Sequence, residues 1–557
     1  MTVKEHYQNI KKYAHKEYIP ILVLVLLVLL KRILISNYGI NREAPIELEN
    51  IFLVLDGQLI YKDFFWYHGF FPIYWHALIF KLFSPQIYYL RLFVTFFALT
   101  TSYFAYLIAR KLLSPWKAAG AALLAFTGLL IPEHATGEMM AFCFITISLF
   151  FFTQYCEKPR TQFIYLAGFS SGMVSLAQVL PLGIVSLFGG LFTVIGYGFF
   201  RKMGYFKNLA AFLIGYFPVL LISYGSLSIF VPLDKLLRNL FPLFFGYDLS
   251  PNVYKSLPFP SLFPSIWEGE SLTEIIQITN KYLISDFRWW LIIAVFIWGL
   301  VEFFRTWKTE SIPQNKIYIL GTLVLYSPLF ESKFLSYLGR LGTVPNYINM
   351  LPTFILLIYL LESKGSLKRF STTTLALLIS LFFLYPLGKY YNYFSKNAVP
   401  LDLPYTKGIE VSPYKYELYQ KTLNYIQENT SDKDTIVFAG INRYFSIISG
   451  RYDVFRNNIL TFAQATFYPS RKISGFLEES FFIEENIVKK IEKHQPKLIL
   501  LPKNFLQFAE IKDSPFLKFL ELEWELVASF GDETKKNYYE YESPVSIYAK
   551  KKNKNLG

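Results

Sequence analysis

Apolar runs long enough to cross a hydrocarbon core, roughly 17–25 residues each, recur near 18–36, 86–109, 116–132, 139–156, 162–179, 181–200, 208–230, 288–304, 317–330, 347–362 and 371–388. Eleven spans are expected from them. The runs at 317–330 and 347–362 are short, and segments of that length also form re-entrant elements. Beyond residue 388 the pattern changes. YKYELYQKTLNYIQE carries the spacing of an amphipathic helix and TIVFAG that of a buried strand. EENIVKKIEKH followed by PKLILLP reads as helix then strand, and WELVASF and SIYAK supply two further strands. Such alternation predicts a small α/β sandwich of about 150 residues. The expected fold class is an α-helical polytopic membrane protein with a C-terminal extracytoplasmic α/β domain.

Charge tests the span count independently, because Lys and Arg gather on cytoplasmic loops. With residues 1–17 in the cytoplasm, the inside segments hold Lys4, Lys11, Lys12, Lys16, Arg110, Lys111, Lys117, Lys158, Arg160, Arg201, Lys202, Lys207, Arg305, Lys308, Lys316, Lys364, Lys368 and Arg369, eighteen in all. The short outside segments hold two, Lys333 and Arg340. One span more or fewer in the middle would swap every later loop and erase the asymmetry. The organisation that follows is a cytoplasmic N-terminus at 1–17, a membrane domain at 18–395 with outer loops 37–85 and 231–287, and an extracytoplasmic domain at 396–557. The first run is too long for a cleaved signal peptide and lacks a small-residue cleavage site. A multi-pass protein of the plasma (inner) membrane is expected.

Composition agrees with this reading. The 557 residues are 53% hydrophobic and 17% charged, which excludes both a single soluble domain and a disordered chain. The net charge of +14 has its source in loop orientation, so no nucleic-acid partner is inferred. Cys143 and Cys156 lie in or beside one apolar run, about 20 Å apart along a helix, too far to bridge. Lys31, Arg32 and Arg91, at the outer ends of spans, are expected to snorkel to the headgroups.

The loop after the first span concentrates the chemistry. Pro45 suits a helix start and Asp56-Gly57 a helix stop, with Ile46, Leu48, Ile51, Phe52 and Leu55 as an apolar stripe between them. A short helix at the membrane surface is predicted, with Glu43 just before its start and Glu47 and Glu49 in its first turns. Carboxylates so placed are stabilised by the helix dipole, and that alone accounts for many of them. No glycine-rich phosphate loop, nucleophile elbow or His/Cys ligand set is found in the C-terminal region.

Glu43, Gly57, Tyr61-Lys62-Asp63-Phe64, Tyr67-His68-Gly69, Pro72, Tyr74 and Arg91 together resemble the first outer loop of the GT-C glycosyltransferases. The similarity is to bacterial dolichyl-phosphate-mannose-protein mannosyltransferases and aminoarabinose transferases, and it extends to the many spans and the C-terminal domain. Two differences stand out. Glu43 followed by Ala44 replaces the Asp, often followed by a second acid, that is usual in the family, and Phe70-Phe71 displaces the Pro expected after His-Gly.

The resemblance implies an inverting hexosyl- or pentosyltransferase. It would move a sugar from a polyprenyl-phosphate carrier to a lipid, glycan or protein acceptor at the outer face of the membrane. It implies a catalytic acid among Glu43, Glu47 and Glu49. Substrate contacts would come from Tyr61, Asp63, His68 and Glu138, and cations for the carrier phosphate from Arg340, Lys333 and Arg238. Lys235, Lys255 and Lys281 are further outer-loop cations, and headgroup snorkelling is the alternative for each.

Glu133, His134 and Glu138 in PEHATGE form a candidate set for a divalent cation, Mg or Mn, against the alternative of solvated loop acids. His68 and His76 lie in aromatic surroundings that suit packing. The aromatic, Pro-rich loop at 231–287 suits a cover over a carrier-lipid pocket. Two rival classes share the topology. A lipid or glycan transporter would place ionisable groups near the midplane, often with internal repeats, whereas a non-catalytic envelope scaffold would have no need of the loop acids.

Overall fold

The computed structural model describes residues 3–38, 44–64, 66, 69–124, 136–178, 182–201, 205–240, 287–309, 312–330, 351–365, 367–384, 387–388, 391–392, 396–438, 444–455, 484–503, 515–531 and 544–551. Contacts divide the chain into two compact units that do not follow its order. One comprises 1–35, 92–226 and 251–391; the other comprises 36–91, 227–250 and 392–557.

The first unit is helical. Its elements are α1 (Val3–Ser36), which continues to residue 36 beyond the unit's edge, α4 (Ile87–Ala109), which enters from the other unit at residue 92, α5 (Pro115–Leu124), α6 (Thr136–Glu157), α7 (Thr161–Ala177), α8 (Ile184–Arg201) and α9 (Tyr205–Ser228). After these come α11 (Phe287–Thr309), α12 (Gln314–Phe330), α13 (Leu351–Ser363) and α14 (Lys368–Ile379), the last running into a π-turn at Ser380–Leu384.

Three described stretches, Ile87–Ala109, Gly137–Glu157 and Tyr205–Ser228, are long and apolar enough to cross a membrane, and Ile184–Phe199 and Leu351–Ser363 are shorter apolar helices. The expected eleven spans are therefore not all returned as single long helices among the described residues. The 13 residues of α13 rise about 20 Å, short of a core about 30 Å thick.

Salt bridges gather the helix ends. Arg110 pairs with Glu17, Lys111 with Glu157 and Lys117 with Glu362, each at 2.5 Å, while Glu302 binds both Arg305 and Lys364. Because Arg110, Lys111 and Lys117 are close along the chain, as are Glu362 and Lys364, these pairs bring residues 17, 110–117, 157, 302–305 and 362–364 to one end of the bundle. Most of these positions lie in or beside segments grouped by charge in the sequence.

Inside the bundle, polar side chains bond across helices, as they must where water is absent. Ser175 meets Tyr216 at 2.7 Å and Ser148 meets Ser171 at 2.9 Å, while Tyr197 meets Thr322 at 2.6 Å and Cys156 Sγ at 3.1 Å. Both cysteines are buried and neither is in a disulfide. Lys31 and Arg32 are buried rather than snorkelling, with Lys31 Nζ 5.2 Å from the centre of the Phe383 ring. A cation over an aromatic face recovers part of its lost hydration, which permits the inward orientation.

The second unit joins the loop after α1, residues 36–91, to the C-terminal domain. The loop supplies α2 (Ala44–Leu55) and α3 (Phe71–Leu82), and α10 (Leu233–Leu240) belongs to the same unit. A two-stranded antiparallel hairpin, β1 (Val399–Pro400) and β2 (Glu410–Val411), leads into α15 (Pro413–Asn429), whose N-cap Ser412 accepts a hydrogen bond from the Lys415 amide.

A five-stranded sheet follows, built from β3 (Thr435–Phe438), β4 (Tyr452–Asp453), β5 (Leu498–Pro502), β6 (Trp524–Phe530) and β7 (Val545–Lys550) in the order β4-β3-β5-β7-β6. β3 runs parallel to β4 and β5, and β7 runs antiparallel to β5 and β6. Helices α16 (Tyr444–Ser449), α17 (Glu484–His494) and α18 (Pro515–Glu523) complete it. Ile487 and Ile491 of α17 and Phe516 and Leu520 of α18 pack on Val437 and Ile499. The central strand β5 is buried throughout, the outcome expected of an unbroken apolar run covered on both faces. Each helix and strand expected after residue 400 is observed, while β2, β4, α16 and α18 were not among them.

Candidate active site in the first outer loop

The helix stop expected at Asp56-Gly57 is formed. Gly57 takes φ 84°, its amide donates to Val54 O at 3.0 Å, and the Gln58 amide donates to Leu53 O at 2.9 Å, the paired bonds of a Schellman end. The chain then closes a tight loop. Asp63 Oδ2 accepts from the Leu59 amide at 2.8 Å, the Asp63 amide donates to Leu59 O, and Tyr61 and Phe64 bond through their backbones. Tyr61, a candidate for substrate contact, is buried at φ 68°. Asp63, another candidate, is exposed and uses one carboxylate oxygen to hold the loop. Trp66 Nε1 donates to Gly69 O at 3.0 Å just before α3.

α2 and α3 pack together, with Phe52 and Phe80 rings 5.9 Å apart. The buried face of α2 is Leu48, Glu49, Asn50, Ile51 and Leu53. The stripe read from the sequence holds at Leu48, Ile51 and half-buried Phe52 but not at exposed Leu55, and the buried face is wider than expected: Glu49, expected among first-turn acids answering the dipole, has 1% of its surface exposed. The reason is that α2 is covered on more than one side, by α3 and by the C-terminal domain's α16. Glu43 lies outside the described residues, as does the side chain of Glu47.

His76 is fully buried on α3, and burial pushes its pKa down to about 3. Burial also raises Tyr74, with the Ile60 backbone acting in the opposite sense. A neutral His76 makes stability depend on pH with a definite sign. The folded pKa lies below the unfolded value near 6.5, so the unfolded chain takes up the proton first. The stabilisation is complete above about pH 6.5 and is lost as pH falls toward 3, amounting to about 2 kcal/mol at pH 5. Thermal unfolding of the purified protein at pH 5 and pH 7.5 is expected to show this loss, and His76→Phe to reduce it. An equal pH dependence in His76→Phe would exclude His76 as its source.

The remaining candidates are dispersed. Glu138, half-buried in the first turn of α6, accepts from Gln178 Nε2 at 3.2 Å. Glu133, His134, His68, Lys333, Arg340, Lys255 and Lys281 lie outside the described residues, as does most of the proposed cover. Arg238 is on α10 with its side chain outside the description, and Lys235 on the same helix is exposed. Arg91, expected to snorkel, is buried, and its guanidinium donates to Tyr38 O at 3.3 Å. Among the described residues no group of three His, Cys, Asp or Glu gathers to hold a metal ion.

These features define an integral membrane protein of mostly helical build, with a C-terminal sheet domain that shares a compact unit with residues 36–91. No protein-family model and no curated protein matches the chain. Among solved structures, it is similar to the archaeal oligosaccharyltransferase AglB from Archaeoglobus fulgidus in complex with an inhibitory peptide and a dolichol-phosphate, with TM-score 0.49 and 13% identity over 88% of this chain and 69% of that one. It is also similar to ArnT from Cupriavidus metallidurans in the apo state, with TM-score 0.47 and 13% identity over 95% of this chain and 97% of that one. The same ArnT bound to undecaprenyl phosphate gives TM-score 0.46 and 12% identity over 96% and 98%.

Proposed function

We propose that this chain is a GT-C type glycosyltransferase. It would transfer a sugar from a polyprenyl-phosphate carrier, with inversion, to a hydroxyl of a lipid, glycan or protein acceptor at the outer face of the plasma membrane. The observation that carries the reading is the acid, helix, Gly, Tyr-x-Asp-Phe sequence of the first outer loop. Its helix stop and its Asp-closed turn are folded as one α2-turn-α3 unit. The carrier proposed is of the class held by two of the structures named above.

In the reaction, a carboxylate takes the proton of the acceptor hydroxyl as its oxygen attacks the anomeric carbon. The carbon–oxygen bond to the carrier breaks on the opposite face, and its electron pair leaves with the phosphate. A base within hydrogen-bond reach contributes roughly 10²–10⁴ in rate. Cations at the departing phosphate stabilise its charge, most strongly where water is excluded. Glu43 is assigned as base. Glu49, enclosed as it is, does not present its carboxylate to an acceptor in this conformation. Arg340, Lys333 and Arg238 are the phosphate candidates. Glu138, one of the three candidate ligands for Mg or Mn, accepts a hydrogen bond from Gln178, and Glu133 and His134 lie outside the described residues.

The test is consumption of a labelled polyprenyl-phosphate sugar by the purified protein in liposomes. Release of polyprenyl phosphate with transfer of label is expected. Transbilayer movement of the intact carrier with no bond cleavage would favour the transporter class instead.

The topology is part of the same proposal. The convergence of residues 17, 110–117, 157, 302–305 and 362–364 at one end of the bundle supports a common cytoplasmic side for them. Impermeant labelling of single cysteines placed at 62 and 557 is expected to succeed from outside intact cells or spheroplasts. Protection of 557 under those conditions would overturn the assignment of the C-terminal domain to the outer face.

A further inference from the structure

The hairpin that opens the C-terminal domain touches the first outer loop at three separate places. At one foot of the loop, the Glu410 amide donates to Asn37 O at 2.6 Å, and Tyr38 bridges Glu410. At the other foot, the Ile87 amide donates to Tyr405 O at 3.0 Å, and the Lys407 amide donates to Gln86 Oε1 at 3.0 Å. Between them, the Tyr405 ring lies 4.8 Å from that of Phe52 on α2, which in turn lies 5.9 Å from Phe80 on α3.

The hairpin is itself braced. The buried Thr406 hydroxyl shares its one hydrogen between Leu401 O and Leu403 O and accepts from the Leu403 amide, while the Leu401 amide donates to Ile409 O. At its tip Tyr405 adopts φ 65°, a conformation that side-chain-bearing residues seldom take. Strained backbone of this kind persists where the surroundings hold it, and it justifies asking what it serves. Here it directs one residue's carbonyl to the start of α4 and its ring to α2.

We infer that Tyr405 is a positioning residue for the reaction proposed above: its ring locks α2, and its carbonyl the start of α4, to the C-terminal domain. The inference rests on reading the first outer loop as the active site. The C-terminal domain then acts on catalysis from a distance in sequence, through α2, without touching substrate. Loosening α2 lets the base leave its working position, which lowers turnover while leaving the affinity for the carrier lipid nearly as it was.

The experiment uses the full chain in detergent or liposomes, with two substitutions. Tyr405→Phe keeps the ring and the carbonyl. Tyr405→Asn keeps a residue suited to positive φ, and with it the carbonyl contact, but removes the ring. Hydrogen exchange across 48–55 reads the lock directly, and single-turnover transfer from a labelled polyprenyl-phosphate sugar reads its consequence.

Tyr405→Asn is expected to speed exchange in 48–55 by about tenfold and to lower kcat by roughly 10- to 100-fold, with KM for the carrier within about twofold. Tyr405→Phe is expected to match the parent in both. Unchanged exchange in Tyr405→Asn, or a Tyr405→Phe protein as impaired as Tyr405→Asn, overturns the inference. If Tyr405→Asn does not fold, Phe52→Leu removes the same ring pair from the other side, and the same two readouts decide. A parent protein that transfers no sugar defeats the proposed function, while the exchange measurement still decides whether Tyr405 locks α2.

Discussion

Glu43→Gln is expected to abolish most transfer, lowering single-turnover rates by roughly 100-fold or more, while carrier binding and the unfolding temperature stay near those of the parent. The amide keeps the size of the side chain and one acceptor oxygen, but it cannot take the acceptor's proton. Glu47→Gln is expected to be mild if that acid only answers the helix dipole, an interaction worth about 0.3–1 kcal/mol.

Glu49→Gln belongs to a different class, because Glu49 is enclosed on the buried face of α2 beside Asn50. Its substitution is expected to change the stability of the α2-α3 unit, with any loss of activity following the loss of folded protein. Glu43→Asp should retain partial activity, since it keeps a carboxylate but shortens the arm by one methylene. Labelled carrier in detergent or liposomes is the substrate for all four variants. A dead but folded Glu47→Gln beside an active Glu43→Gln would move the base one helical turn. Full activity in all three amides would sink the mechanism.

The second large effect is expected at the crossing of α7 and α9. A Cβ on Gly168 would lie 2.1 Å from Phe212 O, and one on Gly215 would lie 2.2 Å from Tyr165 O. In both cases the obstacle is backbone, which cannot rotate away. Gly172 is similarly close to Tyr216 O, at 2.9 Å. Small residues here let two helices approach until their backbones touch, a means of association used where lipid removes the hydrophobic drive.

Gly215→Leu should therefore leave little folded protein after solubilisation, and Gly215→Ala should cost about 1–3 kcal/mol or more, the range for overpacked cores. Gly225 lies on the same helix with nothing within 4 Å of its missing Cβ. Gly225→Ala is accordingly expected to be neutral or to stabilise α9 by up to about 1 kcal/mol. Size-exclusion profiles and thermal midpoints in one detergent would compare the three. A monodisperse Gly215→Leu protein with the parent's midpoint would show that the helices do not pack as described.

Much of the local structure was legible in the sequence, because its causes lie within a few residues. Asp56-Gly57 ends α2 since Gly57 is free to take positive φ there, and Ser412-Pro413 opens α15 since the serine oxygen reaches the Lys415 amide. The strands at 435–438, 498–502, 524–530 and 545–550 follow from runs of apolar and β-branched residues. Periodicity could say that α2 has an apolar side, but it could not say how many sides would be covered.

That was decided by the chain's path. Glu49 is buried because α3 and α16 both pack on α2, and α16 lies some 400 residues further on. Arg91 turns inward because a backbone carbonyl, Tyr38 O, stands where it can accept from the guanidinium. Tyr405 meets Phe52 across more than 350 positions, and neither residue carries a local signal of the other. Element type is set by nearby side-chain sterics and spacing; partner, burial and orientation depend on contacts between distant segments, which exist only once the chain has folded.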